Sequence, residues 1–223
     1  MAGLTTLLGL DWRSMEFGMS EASVDEAERH KTKMAKRKAM QDAEVAAKPI
    51  ESKGLLIVHT GPGKGKSTAA FGLALRALGR GWRVGVVQFI KGAWSTGERT
   101  AFERFGDQMI WHTMGEGFTW ETQDRQRDIA AAAAAWTKAL EVMADPTIRL
   151  IVLDELNIAL RYDYLPLEEI VAALAARRVD LHIVVTGRNA KPELIAGADL
   201  VTEMALVKHH FAAGVRAQEG IEF

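Results

Sequence analysis

The chain has 223 residues, with 28 basic and 29 acidic side chains and a formal net charge of −1. That balance points neither to a nucleic-acid partner nor to an anionic membrane surface. It contains no cysteine, which excludes a disulfide framework, thiolate catalysis and Cys-ligated zinc and fits a reducing compartment.

No apolar run approaches the roughly 20 residues that cross a bilayer. The segment Leu4 to Leu10 is short and lacks a basic flank, so it is a poor signal peptide. A cytoplasmic protein is the default expectation.

Residues 1–18 match nothing downstream in style, and Met19 opens a more natural start. They are expected to be extraneous to the fold or disordered. Residues 19–50 read as a polar helix. Ser23-Val-Asp-Glu26 has capping-box spacing, and the helical pattern reaches about Ala47 before Pro49 stops it. Asp25, Glu26 and Glu28 sit at the end that the helix dipole favours. Arg29, Lys31, Lys33, Lys36, Arg37 and Lys38 make a basic middle. Either this is a solvated helix, or it is a basic arm folded over an anionic ligand or a neighbouring subunit.

From residue 51 to 223, strand-like and helix-like segments alternate. The predicted strands are Leu55–His59, Val84–Phe89, Met109–His112, Leu150–Leu153, His182–Thr186 and Leu200–Met204. The predicted helices are Lys66–Leu78, Gly97–Arg104, Thr122–Ala144, Pro166–Ala176 and Pro192–Ala196. Strands rich in Val, Ile and Leu on both faces indicate a mostly parallel sheet covered by helices on both sides, an α/β fold. The alanine run Ala130–Ala135 is a helix interior with little side-chain entropy to lose.

Between the first strand and the first helix lies Thr60-Gly61-Pro62-Gly63-Lys64-Gly65-Lys66-Ser67-Thr68. Turn amides and a helix N-terminus meet there, and their donors and dipole both favour phosphate oxygens. Lys66 adds a cation for the β- and γ-phosphates, and the Ser67 hydroxyl suits Mg²⁺. The expected phosphate-binding residues are therefore Gly61, Gly63, Lys64, Gly65, Lys66, Ser67 and Thr68. Two departures stand out. Thr60 occupies the position of the first consensus glycine, and Pro62 has no N–H to donate. The strand–loop–helix context still defines a P-loop NTPase fold of the RecA-like type.

A second element is Arg149-Leu-Ile-Val-Leu-Asp154-Glu155, an apolar strand ending in two acids. In P-loop proteins a carboxylate here meets the Mg²⁺ held by the loop hydroxyl. Asp154 and Glu155 join Ser67 as metal candidates, and the pattern leaves open which acid acts directly. Thr186-Gly187-Arg188 ends another predicted strand on the carboxyl edge, where ligands bind in open α/β sheets. Arg188 suits either a phosphate or a structural ion pair.

Further unusual segments accompany these two: Gln88-Phe-Ile-Lys-Gly92, Gly117-Phe118-Thr-Trp120-Glu-Thr and Tyr162-Asp-Tyr-Leu-Pro-Leu-Glu-Glu169. The chain closes with Val207-Lys-His-His and the residues to Gly220. Together the segments resemble the P-loop family of corrinoid adenosyltransferases, of the cob(I)yrinic acid a,c-diamide/cob(I)alamin type, over residues 54–223. The resemblance implies ATP and a reduced Co(I) corrinoid as substrates, with cobalt attacking the ribose 5′ carbon and inorganic triphosphate leaving. It also implies an unusual nucleotide orientation, an electron-donating reductase such as a flavoprotein, and a homodimer.

On this resemblance Phe118 and Trp120 lie against the lower face of the corrin and keep an axial ligand off cobalt. Losing that donor makes Co(II) easier to reduce. Read from spacing alone, two aromatics at i and i+2 are one face of a packed strand. The glycines at 115 and 117 favour a loop. His112, His182, His209 and His210 form no recognised metal spacing and read as packed or surface histidines. Trp12, Trp82, Trp94, Trp111 and Trp136 read as core or interface aromatics, with Trp94 the one suited to a functional role. The rival classes are a small-molecule kinase, a RecA-like ATPase, and a nucleotide-dependent switch that carries corrinoid without modifying it.

Overall fold

The computed structural model describes residues 21–49, 52–90, 97–114 and 124–222, and the chain divides into two compact units between Glu51 and Ser52. The first unit contains one described helix, α1 (Glu21–Ala46). Its ion pairs Arg29–Asp25 and Lys38–Asp42 link residues one turn apart at 2.7 Å, all largely exposed. Among residues 25–46 only Met34 is half-buried. Ser23 lies inside the helix, two residues past its start, and so does not occupy the N-cap position that its spacing suggests.

The second unit carries a six-stranded sheet: β1 (Leu56–Thr60), β2 (Arg83–Gln88), β3 (Met109–Thr113), β4 (Ile148–Asp154), β5 (His182–Thr186) and β6 (Leu200–Glu203). Every neighbouring pair is parallel, in the order β3-β2-β4-β5-β1-β6. All six predicted strands are present, their ends shifted by a residue or two. The helices are α2 (Lys66–Leu78), α3 (Gly97–Phe102), α4 (Arg125–Ala144), α5 (Leu156–Arg161), α6 (Leu167–Ala175) and α7 (Pro192–Gly197). The fold is the P-loop α/β type expected from the sequence.

Side-chain alternation divides the core into two layers. Val58, Val87, Ile151, Leu153, Ile183 and Val185 share one layer with Ala132, Ala135 and Ala139 of α4 and with Ile170 and Leu174 of α6. The residues between them in the strands, Ile57, Val86, Val152 and Val184, share the other with Ala70, Phe71, Ala74 and Leu78 of α2. Alanines let α4 approach closely, and Gly85 of β2 completes that fit. A side chain on Gly85 would overlap the Val142 methyl.

Helix ends follow local chemistry. Asp124 caps α4, accepting from the N–H groups of Gln126 (3.1 Å) and Arg127 (3.2 Å). The helix expected over Gly97–Arg104 stops at Phe102 and continues as a 3-10 segment, Glu103–Gln108, in which Gly106 is non-helical. Helix α5 and the 3-10 turn His210–Ala213 lie outside the sequence-based assignment.

Candidate nucleotide site

The carboxyl ends of β1, β2, β4 and β5 lie side by side, bringing the P-loop, Gln88, Asp154-Glu155 and Thr186-Gly187-Arg188 to one edge. Crevices at such edges are where open parallel sheets bind ligands. Gly65 is the residue preceding α2, at φ 102°, and has no side chain to cap the helix. The first-turn amides of Lys66, Ser67 and Thr68 thus meet no capping side chain, leaving donors suited to an anion.

The glycine register has a packing cause. Thr60 is buried, and its Oγ1 accepts from the Ala190 N–H at 3.0 Å, tying β1 to the segment after β5. Gly61 then takes the left-handed turn at φ 94°. A Cβ on Gly61 would stand 2.6 Å from the Met204 carbonyl oxygen, and one on Gly63 would stand 2.5 Å from that of Ala205. The Gly63 N–H also donates to Met204 O at 2.6 Å. Both glycines therefore let the loop pass the end of β6, and the Gly63 amide is directed at the protein.

Lys66 stands where the predicted helix begins. It opens α2, is only 7 % exposed, and donates from Nζ to the carbonyl oxygens of Gly61 (2.9 Å) and Gly63. Burial holds its ammonium below the usual lysine range. Glu155 opposes that shift, while Arg188 and Lys64 add to it. Lys64 itself is exposed and pairs with Glu222 at 2.8 Å. Arg188 is exposed and has no ion-pair partner among the described residues.

Asp154 is fully buried. Its Oδ1 accepts from the hydroxyls of Ser67 (2.7 Å) and Thr186 (2.8 Å), and its Oδ2 from Gln88 Nε2 (3.0 Å). Charge-assisted bonds of this kind offset the cost of burying a carboxylate. Glu155 is half-buried and sits at φ 63°, a left-handed conformation costly for a residue with a side chain. The Thr186 hydroxyl fixes it by accepting its N–H at 2.9 Å. Gly187, at φ 126°, makes room beside it, since a Cβ there would lie 3.1 Å from Glu155 Oε2.

Several participants were not among the expected site residues. Gln88, Thr113 and Trp111 join Asp154 only because β2 and β3 continue the sheet beside β4. His59 is buried next to the loop, and its Nδ1 faces the Lys66 carbonyl at 3.2 Å. That carbonyl only accepts, so Nδ1 carries the proton. His209, His210 and Glu222 approach within 4.8 Å of one another, and His210 pairs with Glu222 at 3.0 Å. Their spacing in the chain gives no hint of this. His182 stacks on Trp82, accepts the Leu55 N–H at Nδ1, and is held below the usual histidine range chiefly by burial.

The Tyr162–Tyr164 turn is built from stacked rings. Tyr164 donates to Asp128 at 3.2 Å, while Arg125 reaches the Tyr162 carbonyl at 3.1 Å. It braces the start of α4. Phe118, Trp120, Trp94 and Trp12 lie outside the described residues.

The parallel sheet, the glycine-rich loop opening α2, and the Ser67–Asp154 bond define a P-loop nucleotide-binding protein. Residues 52–223 match the family model described as ATP:corrinoid adenosyltransferase BtuR/CobO/CobP. Residues 19–45 match the one described as cob(I)alamin adenosyltransferase N terminal. The chain belongs to the ATP:corrinoid adenosyltransferase family, as its motifs suggested.

A corrinoid adenosyltransferase from Pseudomonas aeruginosa is 56 % identical over 201 residues, covering 90 % of this chain and 98 % of that protein. One from Sinorhizobium sp is 54 % identical over 208 residues, covering 92 % and 96 %. The corrinoid adenosyltransferase CobA of Salmonella typhimurium is 48 % identical over 196 residues, covering 88 % and 98 %. No helix among the described residues is long and apolar enough to cross a membrane.

Proposed function

We propose that this P-loop carries out the family's reaction, with named residues in the following roles. The electron pair of a Co(I) corrinoid attacks C5′ of ATP, the Co–C5′ bond forms, and the C5′–O5′ bond breaks. The displaced pair leaves on inorganic triphosphate, and cobalt is formally oxidised to alkyl-Co(III). The γ-phosphorus is not the electrophile, in contrast to phosphoryl transfer. The Ser67–Asp154 bond beside buried Lys66 carries this reading, because it joins the loop to the acid-bearing strand.

Two of the three ammonium protons of Lys66 go to Gly61 and Gly63, so the third is aimed at phosphate in a site of low dielectric. With the α2 amides and Arg188, it stabilises charge that builds on the departing triphosphate. Gly61, Gly63 and Gly65 shape the loop, and Lys64 and Thr68 line its outer side.

Ser67, Asp154 and Glu155 offer only oxygen donors, which suits Mg²⁺. When bound, the ion would neutralise phosphate charge. Asp154 holds the Ser67 hydroxyl as a donor and leaves its lone pairs for a cation. Glu155, supported by Thr186, supplies the second charge.

Phe118 and Trp120 are assigned to the lower corrin face, where they exclude an axial ligand. Thr113 and Asp124 bracket their segment. Residues 51–223 act on this reading as the nucleotide- and corrinoid-binding domain and residues 19–50 as a polar arm, in a cytoplasmic homodimer served by a flavoprotein reductase.

Phe118→Ala and Trp120→Ala test the corrinoid assignment. With Co(II) corrinoid and a mild reductant both variants lose most activity. With pre-reduced Co(I) they regain much of it, since the role assigned to them involves the corrin face and not ATP. Equal defects on both substrates would mean that these aromatics only pack the fold.

A further inference from the structure

We propose that Gln88 is a positioning residue that fixes the Asp154 carboxylate, and that Trp111 and Thr113 lock Gln88 in one amide orientation. The proposal rests on the reading that Ser67 and Asp154 serve a Mg²⁺-bound nucleotide.

Gln88 closes β2 and is 3 % exposed. The parallel register sets it opposite Thr113 of β3 on one side and Asp154 of β4 on the other. Three strand ends therefore form a row, with Gln88 in the middle. Its Oε1 accepts from Trp111 Nε1 and from Thr113 Oγ1, each at 3.1 Å. An indole N–H only donates, so that contact identifies Oε1 as the oxygen. The amide nitrogen then faces Asp154 Oδ2 at 3.0 Å. A flipped amide would set NH₂ against the indole N–H and an oxygen against a buried carboxylate.

The bond has a consequence two atoms away. With Oδ2 held by Gln88, the carboxylate plane is set and Oδ1 receives the Ser67 and Thr186 hydroxyls. Ser67 spends its one proton on Asp154, so its lone pairs stay available. Trp111 is fixed in turn by Phe71 (centroids 5.3 Å apart) and Phe102 (5.9 Å). Phe71 lies one turn beyond Ser67 on α2. The aromatic cluster, the amide and the carboxylate thus close a ring that returns to the helix carrying the loop hydroxyl.

The test measures binding of a β,γ-imido ATP analogue to the full chain without corrinoid, as a function of Mg²⁺ concentration. Gln88→Leu keeps the volume and removes all three hydrogen bonds. It should raise the half-saturating Mg²⁺ concentration about tenfold or more, the range of a lost hydrogen bond to a charged group. Analogue affinity at saturating Mg²⁺ should change by less than about threefold.

Thr113→Val and Trp111→Phe should each shift the Mg²⁺ titration in the same direction but by less, and neither should add to the shift of Gln88→Leu. These two also serve if Gln88→Leu does not fold. The wild-type Trp111 indole N–H resonance should move in Gln88→Leu. Unchanged Mg²⁺ titrations in folded variants, alongside a large shift in Ser67→Ala, would overturn the role of Gln88 alone. Wild-type binding indifferent to Mg²⁺ would overturn the metal reading and this proposal together.

Discussion

Replacing Lys66 with methionine tests the P-loop assignment with little change of volume. Lys66 is 7 % exposed and its ammonium donates to two loop carbonyls, leaving one donor for the triphosphate. A hydrogen bond from a charged group contributes about 1.5–3 kcal/mol. The remaining attraction across about 4 Å, at an effective dielectric near 20, is worth at most about 4 kcal/mol. Because ATP in its ground state feels part of this already, the loss specific to the transition state should be about 2.7–4 kcal/mol, or 10²–10³ in rate.

Stability should respond far less. The Gly61 and Gly63 carbonyls lose a donor, but burial already penalises the lysine charge. A net cost of about 1–2 kcal/mol would lower Tm by a few degrees. The assay is kcat and KM for ATP with pre-reduced Co(I) corrinoid, well below the Tm of the variant. Activity within a few-fold of wild type at saturating ATP would refute the reasoning, as would a loss matched by the unfolded fraction.

Asp154→Asn should raise the Mg²⁺ requirement more than Glu155→Gln, because Asp154 is the acid bonded to Ser67; the reverse order in Mg²⁺ titrations would give Glu155 the principal role. Lys66 loses its proton below the usual lysine value of 10.5, so kcat/KM for ATP should fall as pH rises through that lowered pKa. Lys66→Arg keeps its charge, and in that variant the alkaline limb should disappear from whatever activity remains. Gly85→Ala should cost about 1–3 kcal/mol by overpacking against Val142, and adding Val142→Ala should recover stability in denaturant titrations. A double variant no more stable than Gly85→Ala would mean that the strain lies elsewhere.

The parts of the site carried by contiguous residues were legible in the sequence. A strand, a glycine turn and GKS in order define the P-loop, and an apolar run ending in Asp154-Glu155 marks the second strand. What the sequence conceals depends on strand order. Gln88, Trp111 and Thr113 meet Asp154 only once β2 lies between β3 and β4. Gly61 and Gly63 read as phosphate-binding residues, yet the end of β6, some 140 residues on, also demands their lack of side chains. Helix α5 is six residues long, too short for its period to rise above the strand before it. The burial of Lys66 is equally hidden, because the loop conformation that turns the Gly61 and Gly63 carbonyls onto its ammonium is set by tertiary packing.

The most direct test of the account identifies the products when wild-type protein meets Mg²⁺, ATP and chemically reduced Co(I) corrinoid. The absorption spectrum and the ³¹P resonances of the products are recorded together. An alkyl-cobalt spectrum with equimolar inorganic triphosphate is predicted, and Lys66→Met should diminish both in parallel. Release of ADP with cobalt unalkylated would contradict adenosyl transfer at this site and return the chain to the kinases and ATPases.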